Sequence, residues 1–519
     1  DLTVSASANG YGSIARAAGA YSFGILDSSV YNADDIHASA SAIGGEASAL
    51  GAGSIGYYFG SSVSNTETGT IVAEATGDHA AATGLLNVSV VYGDAITTNE
   101  GSVSAAADGV LSATAIGNYN FASYTASVLN SGTITARADV DTGFAVAYGV
   151  NNVSNQYSYL TNETGGVIGA VANAQDGYAL AMGAYVSGGS LASLNSNGAI
   201  SARSHSLTGD ATAYGALVSG GYVGVGLLIN GGDLRADAPT AGNARATGAF
   251  VYADVATIFN DNSIAATAAT VDGQAVATGA GVYASNSAIN NYGDLTASAS
   301  AAAGTAIAVG ADSFGYSGAS FYNAADIRAD ASADGGLVSA TGASTVGIFI
   351  ALATNTGTIS AEATGGEASA RGLYNASAFD AITVNEGSIS AVADGTLAAY
   401  GQYEAVAFGA YNLAVYYDSI VDNSGQISAS ASATTDISGT YGFLVAKALG
   451  AVAVSMYGYG ETAITNSNSI TASAETSQGY AGSWGAVSLA GVYGSASIEN
   501  EGLISTYSHT DIGSADTTG

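Results

Sequence analysis

The chain has 519 residues, with 41 acidic against 8 basic side chains, a net charge of −33 and no cysteine. One lysine and a few arginines cannot neutralise a run of phosphates, so the composition argues against nucleic acid and against an anionic membrane surface as partners, and it leaves no disulfide framework or thiolate metal site. Gly and Pro together make about 14% of the chain and mean hydropathy is +0.28, which excludes low-complexity disorder.

From the N-terminus onward one phrase recurs, Asn-x-Gly-x-Ile-(Ser/Thr)-Ala-x-Ala, plain at Asn130–Ala138, Asn355–Ala363, Asn385–Ala393 and Asn423–Ala431. Its aliphatic anchor returns as Leu2, Ile36, Ile71, Val103, Ile134, Ile168, Ile200, Leu234, Ile264, Leu295, Ile327, Ile359, Ile389, Ile427, Ile470 and Ile504. These sixteen anchors are spaced 30 to 43 residues apart, mostly 30 to 35, so one unit is roughly 32 residues. A longer duplication overlies the short one, residues 1–110 reappearing as 294–395.

Within a unit the period is two. Ile359, Ala361 and Ala363 fall on one face and Ser360 and Glu362 on the other, and the alternation resumes with Ala368 and Ala370 after a Thr-Gly-Gly corner. Two residues after the anchor Ala stands in fourteen of sixteen units, among them Ala136, Ala361, Ala391 and Ala429, and the position four after it is Ala equally often. Alanine is a poor strand former, so columns of it indicate steric demand inside a narrow coil. Three short strands and three corners per unit predict an all-β fold, a parallel β-helix (β-solenoid) of about 15–16 triangular coils of roughly 32 residues. Residues 1–519 are expected to form a single continuous solenoid about 75 Å long, with a polar C-terminal end over 505–519.

Four residues before the anchor stands Asn in twelve units, including Asn130, Asn355, Asn385 and Asn423. Stacked amides can bond from coil to coil, and the Gly two residues later fits a corner at positive φ. The structural ladders expected from the sequence are therefore these Asn residues, the anchors Ile134, Ile359, Ile389 and Ile427, and the alanines named above.

Candidate sites are sparse. Asp330 and Glu362 share an outward column in adjacent coils, roughly 5 Å apart, with Arg328 beside them. Such a pair could act as acid and base or hold Ca²⁺ weakly, but the simpler account is that Arg328 offsets two exposed acids. No catalytic residue and no cofactor are assigned. His37, His79, His205 and His509 lie in coils far apart, which predicts no zinc site, and Glu100, Glu163, Glu386 and Glu501 form no continuous ladder. Tyrosines recur two residues after a Gly, as at Tyr21, Tyr185, Tyr374 and Tyr411; facing outward, Tyr185, Tyr374 and Tyr411 would stack on glycans, and facing inward they would fill a corner of the core. The parity with Ala368 and Ala370 points Tyr374 inward unless the Gly inverts it.

The Asn-x-Gly-x-Ile-(Ser/Thr)-Ala-x-Ala phrase, repeated along an acidic, cysteine-free and nearly proline-free chain, resembles the passenger regions of Gram-negative autotransporters and related β-strand-repeat surface adhesins. The resemblance covers essentially the whole chain and implies secretion and exposure at the bacterial cell surface. No run of about 18 apolar residues is present, so no direct membrane insertion is expected, and the N-terminus reads as that of a processed chain or an excerpt. The expected function is that of an extracellular structural or adhesive segment of a surface rod or filament, and not an enzyme; the alternative is a β-helix lyase or hydrolase acting on acidic polysaccharide. Expected partners are the chain itself, head to tail or as a continuation in a longer chain, and surface glycans.

Overall fold

The computed structural model describes residues 4–12, 14–397, 402–435, 443–457, 460–491 and 493–519; Leu2, read above as the first anchor, lies outside them. Among the described residues every regular element is a strand, and the strands pair in parallel into a β-solenoid of about 16 coils of roughly 32 residues. The chain divides into two compact units, Asp1–Thr267 and Ala268–Gly519.

In the first unit a representative coil consists of Thr133–Ser154, which carries a first and a second strand around one corner, and Tyr157–Asn162, the third strand. Ile134 pairs with Val103 in the preceding coil and Ile168 in the next, and Ala136 with Ala105 and Ala170, so the periodic columns of the sequence are columns in space. All are buried, Ala136 and Ala147 being 2% and 0% exposed, and the alanine columns mark where the interior beside the larger anchors admits little beyond a methyl group. The third strand supplies the bulk: Val128, Leu160, Leu194, Leu228 and Ile258 stack through five coils. In the first coil Val4, not Leu2, pairs with Ile36, so the register there sits two residues later than the fixed spacing suggests.

The second unit repeats the plan. Thr358–Gly365, Glu367–Ser377 and Asp380–Asn385 make one coil, in which Ile359 lies between Ile327 and Ile389, Ile389 precedes Ile427, and Ala361, Ala391 and Ala429 follow one another. The amides of its corner form an unbroken chain: Asn291 donates to Asn323, Asn323 to Asn355, Asn355 to Asn385, Asn385 to Asn423, Asn423 to Asn466 and Asn466 to Asn500, each Nδ2 to Oδ1 at 2.6–2.8 Å. In the first unit the corresponding run is Asn32, Asn65, Asn99, Asn130, Asn162 and the Ser196 hydroxyl. Asn65 and Asn162 escape the fixed four-residue spacing because their corners are two residues longer.

Two expectations about glycine and tyrosine are corrected or resolved by geometry. The corner glycines Gly132, Gly387 and Gly425 do not adopt positive φ; a β-carbon on Gly132 would lie 2.5 Å from the Glu100 carbonyl oxygen, so close approach of the neighbouring coil excludes a side chain there. Positive φ occurs at the other corner, as at Gly143 (φ 107°) and Gly177 (φ 127°), and in the lengthened corner after Asn162, at Gly165 (φ 88°). In the second strand a separate glycine column inverts the pleat: Gly372 and Leu373 are both buried in succession, which turns Tyr374 outward although Ala368 and Ala370 face in.

Candidate functional site

The first candidate is the outward carboxylate pair of the second unit. Asp330 and Glu362 are register partners in adjacent coils. Arg328 engages both, its Nε 2.5 Å from Asp330 Oδ2 and its Nη2 3.6 Å from Glu362 Oε2, and the hydrogen bond and charge of Asp330, then the charge of Glu362, hold the guanidinium above its ordinary value. Arg137 with Asp139 and Arg235 with Asp237 repeat this two-residue pairing in the first unit, so the motif is a recurrent way of seating an arginine on the outer face. No group of three metal-ligating side chains converges among the described residues.

Tyr185, Tyr374 and Tyr411 are half-buried on the outer face of the second strands, and Tyr21 is exposed there. Tyr185 lies between Asn151 and Leu217 in its column and has no aromatic register partner. Tyr374 and Tyr411 do pair, their rings stacked with centroids 5.7 Å apart at 14°, while Phe408 meets Tyr411 edge-on at 5.4 Å and the Arg371 guanidinium sits 5.8 Å from the Tyr374 centroid. Burial and then Tyr374 hold the Tyr411 phenol above its ordinary value, with Arg371 pulling it partway back. Tyr374 is thus flanked by Arg371 and Tyr411, and its ring face is engaged by protein groups before any ligand arrives.

Beside this cluster lies a groove of about 470 Å³. Its floor is the column Ile307, Ser339, Ser369, Val406, and the two serines make the hollow because larger side chains flank them along and across the coils. One wall is the column Thr305, Leu337, Glu367, with Glu404 in the next coil; the other is Arg371. Lys447 Nζ holds Glu404 Oε1 at 2.6 Å, and Arg371 makes no ion pair among the described residues. Sequence reasoning missed Arg371, Ser339, Ser369, Glu367 and Glu404, since only the register of the second strands brings them together; the signal available was the Gly two residues before Tyr374 and Tyr411, which marks that strand.

A second groove, about 400 Å³, lies in the first unit where Asp27, Gly60 and Asp94 share a column on the third strand. Gly60 leaves a gap between the two aspartates, into which Asp27 Oδ1 reaches to 3.7 Å from where a β-carbon would stand, and the exposed Phe59 and Ile96 border it. The histidines do not cluster: His37 faces Glu74 at 3.3 Å, His79 meets the Ser112 hydroxyl, and His509 lies 3.2 Å from Asp511. No family model matches the chain, and comparison with curated proteins and with solved structures likewise returns no match.

Proposed function

We propose that this solenoid is an extracellular structural and adhesive element, a segment of a bacterial surface rod or filament of the kind its repeat phrase resembles. The observation that supports the reading is the amide ladder from Asn291 to Asn500, seven side chains joined along the stacking direction. A chain of bonds parallel to the solenoid axis, buried as far as Asn466, resists slippage of one coil on the next, which suits a member that must keep its length under load. The outward carboxylates Asp330 and Glu362 are occupied by Arg328, consistent with a surface that seats charge and performs no chemistry on it. Antibody labelling of intact producing cells tests the reading. Surface signal removed by external protease is the expected result, and signal seen only after permeabilisation overturns it.

The enzymatic alternative has one observation in its favour. Asp27 and Asp94 stand two coils apart, about 9.5 Å along the axis, a separation at the wide limit for the acid and base of an inverting glycosidase. Turnover of a polysaccharide by the intact chain, lost in Asp27→Asn and Asp94→Asn, would replace the adhesive reading with this one. Acidic polysaccharides are included in that assay, with Asp330→Ala and Glu362→Ala as the corresponding variants.

A further inference from the structure

We propose that the notch at Ser339 and Ser369, on the outer face of the second strands in the unit Ala268–Gly519, binds a neutral pyranose residue of a polysaccharide. The inference rests on the adhesive reading and names the ligand class that the notch would take.

The shape comes first. Four coils contribute to the groove, from Thr305 and Ile307 to Glu404 and Val406, so it runs about 14 Å along the axis, and its volume of about 470 Å³ is that of a small-ligand site. An outward strand face has no reason to be hollow unless small side chains interrupt larger ones, and here Ser339 and Ser369 do so between Ile307 and Val406. Leu337 on the adjacent column is 54% exposed, an apolar side chain that the C–H face of a sugar would cover.

The polar groups match a polyol. Two serine hydroxyls donate and accept, Glu367 accepts, and Arg371 donates through a planar fork, a set suited to hydroxyls arranged around a ring. Arg371 is already placed against Tyr374, itself stacked on Tyr411, and Glu404 is held by Lys447, so little ordering cost falls on binding. Charge decides the class of sugar. Glu404 is paired with Lys447 and the opposing walls carry Glu367 and Arg371, one charge of each sign, whereas the chain as a whole carries −33, so an anionic sugar meets long-range repulsion that a neutral one does not.

Calorimetric titration of the full chain with cellotetraose, maltotetraose, N-acetylchitotetraose and tetragalacturonate tests the assignment. At least one of the three neutral tetrasaccharides is expected to bind, with affinity lowered at least about tenfold in Ser369→Tyr and in Ser339→Tyr, which fill the notch from outside the core, and about tenfold in Arg371→Ala. Ser430→Tyr, on the outer face of a first strand, is expected to leave affinity within about twofold. Circular dichroism of each variant separates lost binding from lost folding. Absence of binding by all three neutral sugars, or binding untouched by both tyrosine variants, overturns the notch; binding of tetragalacturonate alone, abolished by Ser369→Tyr, overturns the neutral class. Surface labelling of producing cells is read in parallel: a labelled surface without sugar binding sinks the notch alone, and an unlabelled one sinks the adhesive reading whatever the titrations give.

Discussion

A β-carbon on Gly117 would lie 2.5 Å from Ile134 Cγ2, the anchor of the following coil, and 2.6 Å from the carbonyl oxygen of Gly149. The same relationship links Gly149 to Ile168, Gly183 to Ile200, Gly409 to Ile427 and Gly450 to Ile470, so the second strands carry a glycine column against which the anchor isoleucines pack. Gly117→Ala therefore forces backbone apart and is expected to cost about 1–3 kcal/mol. Gly169, outward on a first strand with its nearest neighbours 3.7 Å from a would-be β-carbon, is the contrast: Gly169→Ala is expected to be neutral or to stabilise by up to about 1 kcal/mol through the unfolded chain. Denaturant melts of both decide it, and equal effects would show that the column is not under steric demand.

Next to Gly117 lies an amide without a place. Asn118 is fully buried between Leu85 and Val150 of its column, and neither its Nδ2 nor its Oδ1 has a protein hydrogen-bond partner. An unsatisfied buried amide costs about 1–3 kcal/mol, and its neighbours show that an aliphatic side chain fits the column. Asn118→Leu is expected to raise the unfolding free energy by that order, read from denaturant melts; a lower stability would mean that the amide is satisfied in solution.

Asn385 sits in the opposite situation. It accepts from Asn355 at 2.8 Å and donates to Asn423 at 2.7 Å and to the Gln426 carbonyl at 3.1 Å, all within a buried corner. Asn385→Ala leaves Asn423 Oδ1 without its donor, while Asn355 Nδ2 keeps the Gly357 and Ser388 carbonyls at 3.1 and 3.2 Å, so a loss of about 1–3 kcal/mol is expected from one orphaned group. If the loss stays below about 0.5 kcal/mol, a typical surface substitution, the ladder contributes nothing to axial stability and the support for a structural role goes with it.

How much of this was legible in the sequence depends on the strand. The first strand shows itself, because Ile134, Ala136 and Ala138 repeat at fixed offsets and their buried column leaves a period of two. The stretch between first and second strands varies in length, Ala405 standing sixteen residues after Ile389 where Ala368 stands nine after Ile359, so the spacing between anchors reaches 38 residues from Ile389 to Ile427 and 43 from Ile427 to Ile470. Asn65 and Asn162 fall outside the fixed offset because the corner before their anchors is two residues longer, and the facing of Tyr374 turns on whether Gly372 inverts the pleat, which the alternation alone does not decide. The notch was invisible: Ser339, Ser369 and Arg371 acquire meaning only once second-strand positions are paired, and serine in a strand carries no signal by itself. The inversion at Gly372 was legible in part, since a glycine interrupting an alternation marks a place where the pleat can change.

Asp394 offers a test of how the acidic surface couples to stability. It lies half-buried in the outward column between Thr364 and Ser432, and desolvation raises its carboxyl above the ordinary value of 3.8. A raised carboxyl binds its proton more tightly in the folded state, so its ionisation opposes folding. Well below the ordinary value both states are protonated and the residue is neutral toward stability. As pH rises the unfolded chain ionises first, stability falls, and the penalty is complete once pH has passed the raised folded value. Asp394→Asn is therefore expected to raise the melting temperature at about pH 7 and to leave it unchanged at about pH 2. Removing one charge from a chain of net −33 also relieves general repulsion, so Asp422→Asn, at an exposed position, measures that contribution alone. A gain in Asp394→Asn no larger than in Asp422→Asn would show that burial of Asp394 carries no penalty beyond the charge of the whole chain.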